Sequence, residues 1–142
     1  MPIRTSEATW EGNLPQGKGK MKVGAGHYEG PFTFASRFES GQGTNPEELL
    51  AAAHAGCFSM ALSNILAKAG HTPKRVHTSA KAHLEKQEAG FAITKVSLVT
   101  EGEVPGIDEK TFREHAEQAK AGCPVSKALG AIQIELEAKL IG

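Results

Sequence analysis

The chain carries no excess charge of either sign: 16 Lys and Arg are matched by 16 Asp and Glu. A dedicated nucleic-acid binder needs a basic surplus, and so does a polybasic protein of membrane surfaces, so both classes are disfavoured. Cysteine is almost absent. The two present, Cys57 and Cys123, lie far apart and form no CxxC pair, which excludes a four-thiolate zinc site. The opening MPIRTSEATW has no apolar core followed by a small-residue cleavage site, so no secretory signal is expected. The expected compartment is the cytoplasm, where thiols stay reduced and a disulfide is catalytic more often than structural. Gly17-Lys18-Gly19 and Gly24-Ala25-Gly26 match neither GxGxxG nor a P-loop and read as turns. Trp10 and the phenylalanines sit at strand spacing with no basic interleaving, which gives base stacking no support. Repeats, linkers and low-complexity runs are also missing.

What is there suits one globular domain, residues 1–142. Hydrophobic residues make up 39% and charged residues 23%, enough to build a core and too apolar for disorder. A chain of this length buries about 70% of its unfolded surface without staples. One segment, Leu49 to Ala69, is long enough to cross a bilayer. It carries His54, Asn64, Lys68 and two serines, and much of its apolar content is alanine. It reads as a central helix of a soluble protein, with no membrane partner.

Periodicity gives the order βββ-α-ββ-α-β. Three short Gly-punctuated strands form an antiparallel meander, the third running through PFTFASRF to Phe38. Asn45-Pro46-Glu47-Glu48 is a helix start with Asn45 as cap and Pro46 in the first turn; Gly70 and Pro73 end that helix. Val76–Leu84 and Phe91–Thr100 are strands joined by a turn at 87–90. Asp108 caps a helix to Ala121, Pro124 begins a further helical turn, and Ile132–Leu140 alternates as a last strand. Helices and strands are segregated, so the class is α+β.

Chemistry is confined to a few residues. Cys57 lies in the apolar helix, where a lone thiol is ordinarily a small buried hydrophobe. Cys123 lies in Gly122-Cys123-Pro124 at the start of a helical turn, a position that lowers a thiol pKa. His54 is three residues before Cys57 on the same helical face, so a nucleophile with its base is conceivable, as in a hydrolase. No third residue that would orient His54 stands out. The other histidines are scattered at no ligand spacing, so neither metal nor cofactor is expected.

Longer stretches narrow the choice. Arg37-Phe38-Glu39 and the run from Gly43 through Thr44-Asn45-Pro46-Glu47-Glu48 to His54-Ala55-Gly56-Cys57-Phe58-Ser59-Met60-Ala61 resemble the osmotically inducible protein C family (OsmC), relative of the organic hydroperoxide resistance proteins (Ohr). Trp10-Glu11-Gly12, Gly90-Phe91-Ala92-Ile93-Thr94-Lys95, Val104-Pro105-Gly106-Ile107 and Ala119–Ser126 fit too, so the resemblance spans essentially the whole chain. It implies an OsmC-like fold of antiparallel sheets around two central helices in an intertwined homodimer. It implies a thiol peroxidase of oxidative and osmotic stress defence that reduces organic hydroperoxides, and hydrogen peroxide less efficiently. On this pattern Cys57 is the peroxidatic cysteine, Cys123 the resolving one, Arg37 the cation that stabilises the thiolate and Glu47 the acid that orients Arg37. An external dithiol, such as a lipoyl-protein, would reduce the resulting disulfide.

The chemistry suits those residues. A thiolate attacks the distal peroxide oxygen, expels an alcohol and becomes a sulfenic acid, which a second thiol captures as a disulfide. Local physics favours Cys123 as the thiolate, whereas the resemblance favours Cys57, aided by a permanently charged arginine. Glu47 and Cys57 are ten residues apart on one helix, about 15 Å along its axis and on different faces. An acid acting at Cys57 is therefore expected from a second chain. The runner-up is a non-catalytic protein that binds a small apolar ligand.

Overall fold

The computed structural model describes residues 2–142, in two compact units: one ends at Leu49, the other is Leu50–Gly142.

In the first unit, strands β1 (Glu7–Glu11), β2 (Lys18–Val23) and β3 (Tyr28–Phe32) form the expected antiparallel meander, in the order β1-β2-β3. Trp10 on β1 and Phe32 on β3 meet across β2, ring centroids 5.3 Å apart. Only glycine fits between them, since a Cβ on Gly19 would stand 2.5 Å from the Phe32 ring and 2.6 Å from Trp10.

The third strand does not reach Phe38. It stops at Phe32, and Phe34–Phe38 is a short helix, α1. Thr33 and Ser36 form a reciprocal cap: the Thr33 hydroxyl accepts from the Ser36 N–H at 3.1 Å, and Ser36 Oγ accepts from the Thr33 N–H at 2.8 Å. Two otherwise orphaned donors are thereby satisfied. The Phe32/Phe34 alternation that suggested a strand competes with this cap and loses. Phe34 and Phe38 instead pair at helical spacing, rings 4.8 Å apart.

The long helix α2 runs unbroken over Pro46–Lys68. Asn45 Oδ1 accepts the Glu48 N–H at 2.8 Å, the expected cap, while the Glu48 carboxylate takes the Thr44 hydroxyl at 3.1 Å. At the other end Gly70 has φ +90, and the His71 N–H reaches Leu66 O at 2.8 Å while the Gly70 N–H reaches Ala67 O at 3.0 Å. That pair of bonds is a Schellman motif, which needs a left-handed residue where Gly70 stands.

In the second unit, β4 (Arg75–Gln87) and β5 (Gly90–Glu103) are an antiparallel hairpin with a bulge between His83 and Leu84. Helix α3 (Glu109–Gly122), capped by the Asp108 carboxylate on the Thr111 N–H at 2.7 Å, and the short α4 (Pro124–Ala128) lead to β6 (Gln133–Leu140). Strand β6 pairs with β5 in parallel, so the sheet is not wholly antiparallel as expected. The two helices form a crossover that returns the chain to the end where β5 began, and a parallel neighbour requires such a connection. The core consists of Phe58, Leu62 and Leu66 of α2, Val96 and Leu98 of β5, Val104, Phe112, Ala116 and Ala119 of α3, and Cys123.

Helix α2 is apolar nearly all round, and within one chain it is buried along part of its surface. His54, Phe58, Leu62 and Leu66, spaced by four, are fully buried. Ala52, Ala53, Gly56, Met60, Asn64 and Ala67 are exposed. Cys57, Ala61 and Ile65 beside the stripe are partly buried against the same core.

Candidate active site

Two side-chain groups carry the residues singled out by sequence, one in each unit.

In the first unit Arg37 projects from α1 and Glu47 from the first turn of α2. Ser36 Oγ donates to Thr44 O at 2.7 Å, and Asn45 Nδ2 donates to Ser36 O at 2.9 Å, which ties α1 to the entry of α2. Arg37 Nε then donates to Glu47 Oε1 at 2.8 Å, a charge-assisted bond. The guanidinium also lies 5.2 Å from the Phe38 ring centroid. Glu47 is 9% exposed at its side chain, and its second oxygen, Oε2, is buried without a hydrogen-bond partner among the described residues. The acid expected to orient the arginine does hold it, and the helix N-terminus favours its charge.

In the second unit Cys57 on α2 and Cys123 at the N-cap of α4 bring their sulfurs to 2.9 Å, hydrogen-bonded and unbridged. Pro124 at the first position of α4 keeps the Cys123 backbone out of helical geometry, with ψ 127. The two thiols are not equivalent. Cys123 is fully buried; Cys57 is half-buried and lines an open groove of about 870 Å³. Met60, Ala61, Ile65, Ala119 and Pro124 make the groove mostly apolar.

Their acidities differ as the local reading anticipated. Burial pushes the Cys57 thiol up, and its contact with the Cys123 sulfur pushes it further, against a smaller opposing bond from the Val125 backbone. Burial opposes charge on Cys123 as well. There the contact with the Cys57 sulfur and the neighbouring polar groups of Ser126 and Val125 together outweigh it, and the Cys123 pKa falls below the usual thiol value. Within this unit Cys123 is the more acidic thiol of the pair.

His54 does not pair with Cys57. Its Nε2 lies 2.7 Å from Ser126 Oγ, and Nδ1 has no partner among the described residues. Burial lowers its pKa, so the ring is neutral. The nucleophile–base pair required for a hydrolase is therefore not formed, and the residue that orients His54 is Ser126. Sequence reading passed over Ser126, although its position three residues after Cys123, one helical turn on, was a usable signal. Among the described residues no three His, Cys, Asp or Glu side chains converge on a metal position.

Comparison with known proteins gives a consistent picture. The model of the family described as OsmC-like protein matches residues 39–137. Peroxiredoxin OsmC of Escherichia coli (strain K12) is 50% identical over 138 residues, covering 96% of this chain and 96% of that protein. The organic hydroperoxide resistance protein OhrB of Bacillus subtilis (strain 168) is 36% identical over 104 residues, covering 71% of this chain and 74% of that protein. The crystal structure of Bacillus subtilis OhrB superposes with a TM-score of 0.75 at 28% identity, covering 95% of this chain and 98% of the other.

Proposed function

The chain belongs to the OsmC-like protein family, and from that premise we propose that it is a cysteine-based peroxidase that reduces organic hydroperoxides to alcohols. The observation that carries this reading is the pair of reduced thiols 2.9 Å apart, one of them opening onto an apolar groove. A disulfide needs its sulfurs at about 2.05 Å, so closure requires little movement.

Access, more than resting acidity, assigns the roles. A peroxide held in the groove meets the Cys57 sulfur, while Cys123 is sealed from solvent. Cys57 attacks the distal oxygen and expels the alcohol, and Cys123 condenses with the sulfenic acid. An apolar groove favours an alkyl peroxide over hydrogen peroxide, because the alkyl chain gains burial there. Since Cys57 is the less acidic thiol in its own unit, the chemistry calls for a cation, and the guanidinium of Arg37, held by Glu47, is that cation in this proposal.

Glu47 and Cys57 lie ten residues apart on an unbroken helix, so the proposal makes the acting Arg37–Glu47 pair that of a second chain, in a homodimer with two shared sites. The uncovered apolar stripe of α2 supports such an assembly. An external dithiol, of which a lipoyl-protein is one form, resets the disulfide, and the working compartment is the reducing cytoplasm. Residues 1–142 act as one domain in this reading.

The direct test is a thiol count with intact mass before and after one equivalent of cumene hydroperoxide. Peroxidase chemistry converts both free thiols to one disulfide. A protein that only binds apolar ligands keeps them. Cys123→Ser should stop at a Cys57 sulfenic or higher acid and Cys57→Ser should not turn over; steady turnover by Cys57→Ser would exchange the roles.

A further inference from the structure

Helix α2 meets the core along one fully buried stripe, His54, Phe58, Leu62 and Leu66. Cys57 and Ser59 stand on either side of Phe58, and each is partly buried. At about 100° per residue the two side chains flank the stripe to opposite hands. Each flank makes one polar contact, and the two contacts reach different elements. On one side the Cys57 and Cys123 sulfurs lie 2.9 Å apart at the start of α4. On the other, Ser59 Oγ donates to Thr78 Oγ1 of β4 at 2.8 Å. The peroxidase reaction uses the first contact and makes no use of the second.

The second contact is the end of a longer chain of hydroxyls. Thr78 Oγ1 lies 2.9 Å from Thr100 Oγ1 on β5, and Thr100 Oγ1 donates to His77 O at 3.2 Å. A hydroxyl has one hydrogen, and that fixes every direction. Thr100, fully buried, gives its hydrogen to the carbonyl, so Thr78 gives its own to Thr100. Thr78 then has only lone pairs left for the helix, and Ser59 must be the donor. A serine inside a helix ordinarily turns its hydroxyl back to a carbonyl of its own preceding turn, which holds nothing else in place. Here it crosses to the sheet. Apolar burial is non-directional, whereas a hydrogen bond weakens steeply as its angle is lost. The chain therefore fixes how α2 is turned about its axis.

We propose that Ser59 and Thr78, oriented by Thr100, are positioning residues for disulfide closure: their bond pins the rotation of α2, so that the Cys57 sulfur stays within reach of Cys123 once it is oxidised. This inference rests on the two-thiol peroxidase reading given above. Forming the sulfenic acid alters the sulfur–sulfur contact on one flank of the helix and leaves the pin on the opposite flank untouched. The leverage is large. A side-chain atom about 5 Å from the helix axis moves ~1 Å for a rotation of about 10°. Reacting atoms must start about 3–3.5 Å apart, and a misplacement of about 1 Å can cost a hundredfold in rate. In the step served, the Cys123 sulfur attacks the Cys57 sulfur, an S–S bond forms and the S–O bond breaks. The oxygen leaves as hydroxide and takes up the Cys123 proton, giving water. The Cys57 sulfur is reduced by one level and the Cys123 sulfur oxidised by one, so no outside reductant enters.

The test compares two steps in single turnover with cumene hydroperoxide. Ser59→Ala and Thr78→Val each remove the bond between helix and sheet, and each leaves Thr100 bonded to His77 O. Alanine is the best helix former and valine is a good strand former, so the fold should hold. Both variants should form the Cys57 sulfenic acid at the wild-type rate, since a peroxide in the open groove follows the sulfur. Both should close the disulfide about tenfold more slowly, a part of the factor a 1 Å displacement can cost, and sulfinic acid should accumulate at Cys57. The double variant should be no slower than either single, because the two substitutions delete one and the same bond. Thr78→Ser keeps the hydroxyl and should close at the wild-type rate. Wild-type closure in Ser59→Ala would overturn the proposal. So would a Thr78→Ser as slow as Thr78→Val, since the side chain would then only fill space. If Thr78→Val fails to fold, Ser59→Ala decides in the same way. If the wild-type chain forms no sulfenic acid at all, the peroxidase reading fails, and equilibration of the two thiols with oxidised glutathione decides about the pin. The pin makes the disulfide about tenfold more favourable in the wild-type chain than in Ser59→Ala, and equal constants would overturn it.

Discussion

Met60→Glu tests the shared-site assembly where the structure makes it most exposed. Met60 is 76% exposed in the middle of the uncovered stripe of α2, one turn beyond Cys57. Burying a whole methionine contributes about 1.5–3 kcal/mol, so covering the exposed share is worth ~1–2 kcal/mol per chain. A twofold interface counts each contact twice, which makes ~2–4 kcal/mol per dimer. At about 1.4 kcal/mol per tenfold, losing that term weakens the dimer ~30- to 700-fold, before any cost of desolvating two carboxylates. Glutamate is a strong helix former, so the helix itself should survive. Sedimentation velocity across a dilution series should show Met60→Glu dissociating at concentrations where the wild-type chain remains dimeric, with unchanged far-ultraviolet circular dichroism. Peroxidase activity per chain should fall along the same dilution curve. A variant that stays dimeric over the whole range, or a wild-type monomer of full specific activity, would refute the reasoning.

Three further outcomes are expected. Arg37→Met should slow oxidation of Cys57 by an organic hydroperoxide about tenfold or more in stopped flow, with Glu47→Gln acting in the same direction but less strongly; an unchanged rate in Arg37→Met would assign the cation elsewhere. Arg37→Met alone also leaves the nearly buried Glu47 carboxylate unpaired and should lose stability that the double variant Arg37→Met/Glu47→Gln regains, measured by urea denaturation. His54 should make stability depend on pH, since its folded pKa lies below the unfolded value of about 6.5. The unfolded chain then binds a proton that the folded chain refuses, and stability drops as pH falls through about 6.5. His54→Gln should flatten that decline in urea midpoints, and an equal slope in both proteins would show that another group titrates.

Local signals were legible along this chain because their physics is local. Asn45-Pro46 starts a helix, Gly70 ends it and Asp108 caps another through bonds that span at most a few residues. Strand alternation was equally readable in β2, β4, β5 and β6. The segment Phe34–Phe38 was misread because a two-residue alternation and the Thr33/Ser36 cap coexist there, and only the hydrogen bonds actually formed choose between them. The direction of β6 was not readable, since alternation reports which face a side chain takes and says nothing of the neighbour; β6 lies parallel to β5 because of a crossover many residues long. The candidate residues Arg37, Glu47, Cys57 and Cys123 could be named from motifs, and so could the Cys123 helix start that acidifies its thiol.

Tertiary structure alone decided which thiol meets the groove, because access depends on what α3 and α4 cover. It also decided that His54 answers to Ser126, 72 residues away, and not to the cysteine one turn along its own helix. A side chain's neighbours on its own helix follow from spacing; its partner across the core follows from packing, which no short stretch of sequence contains.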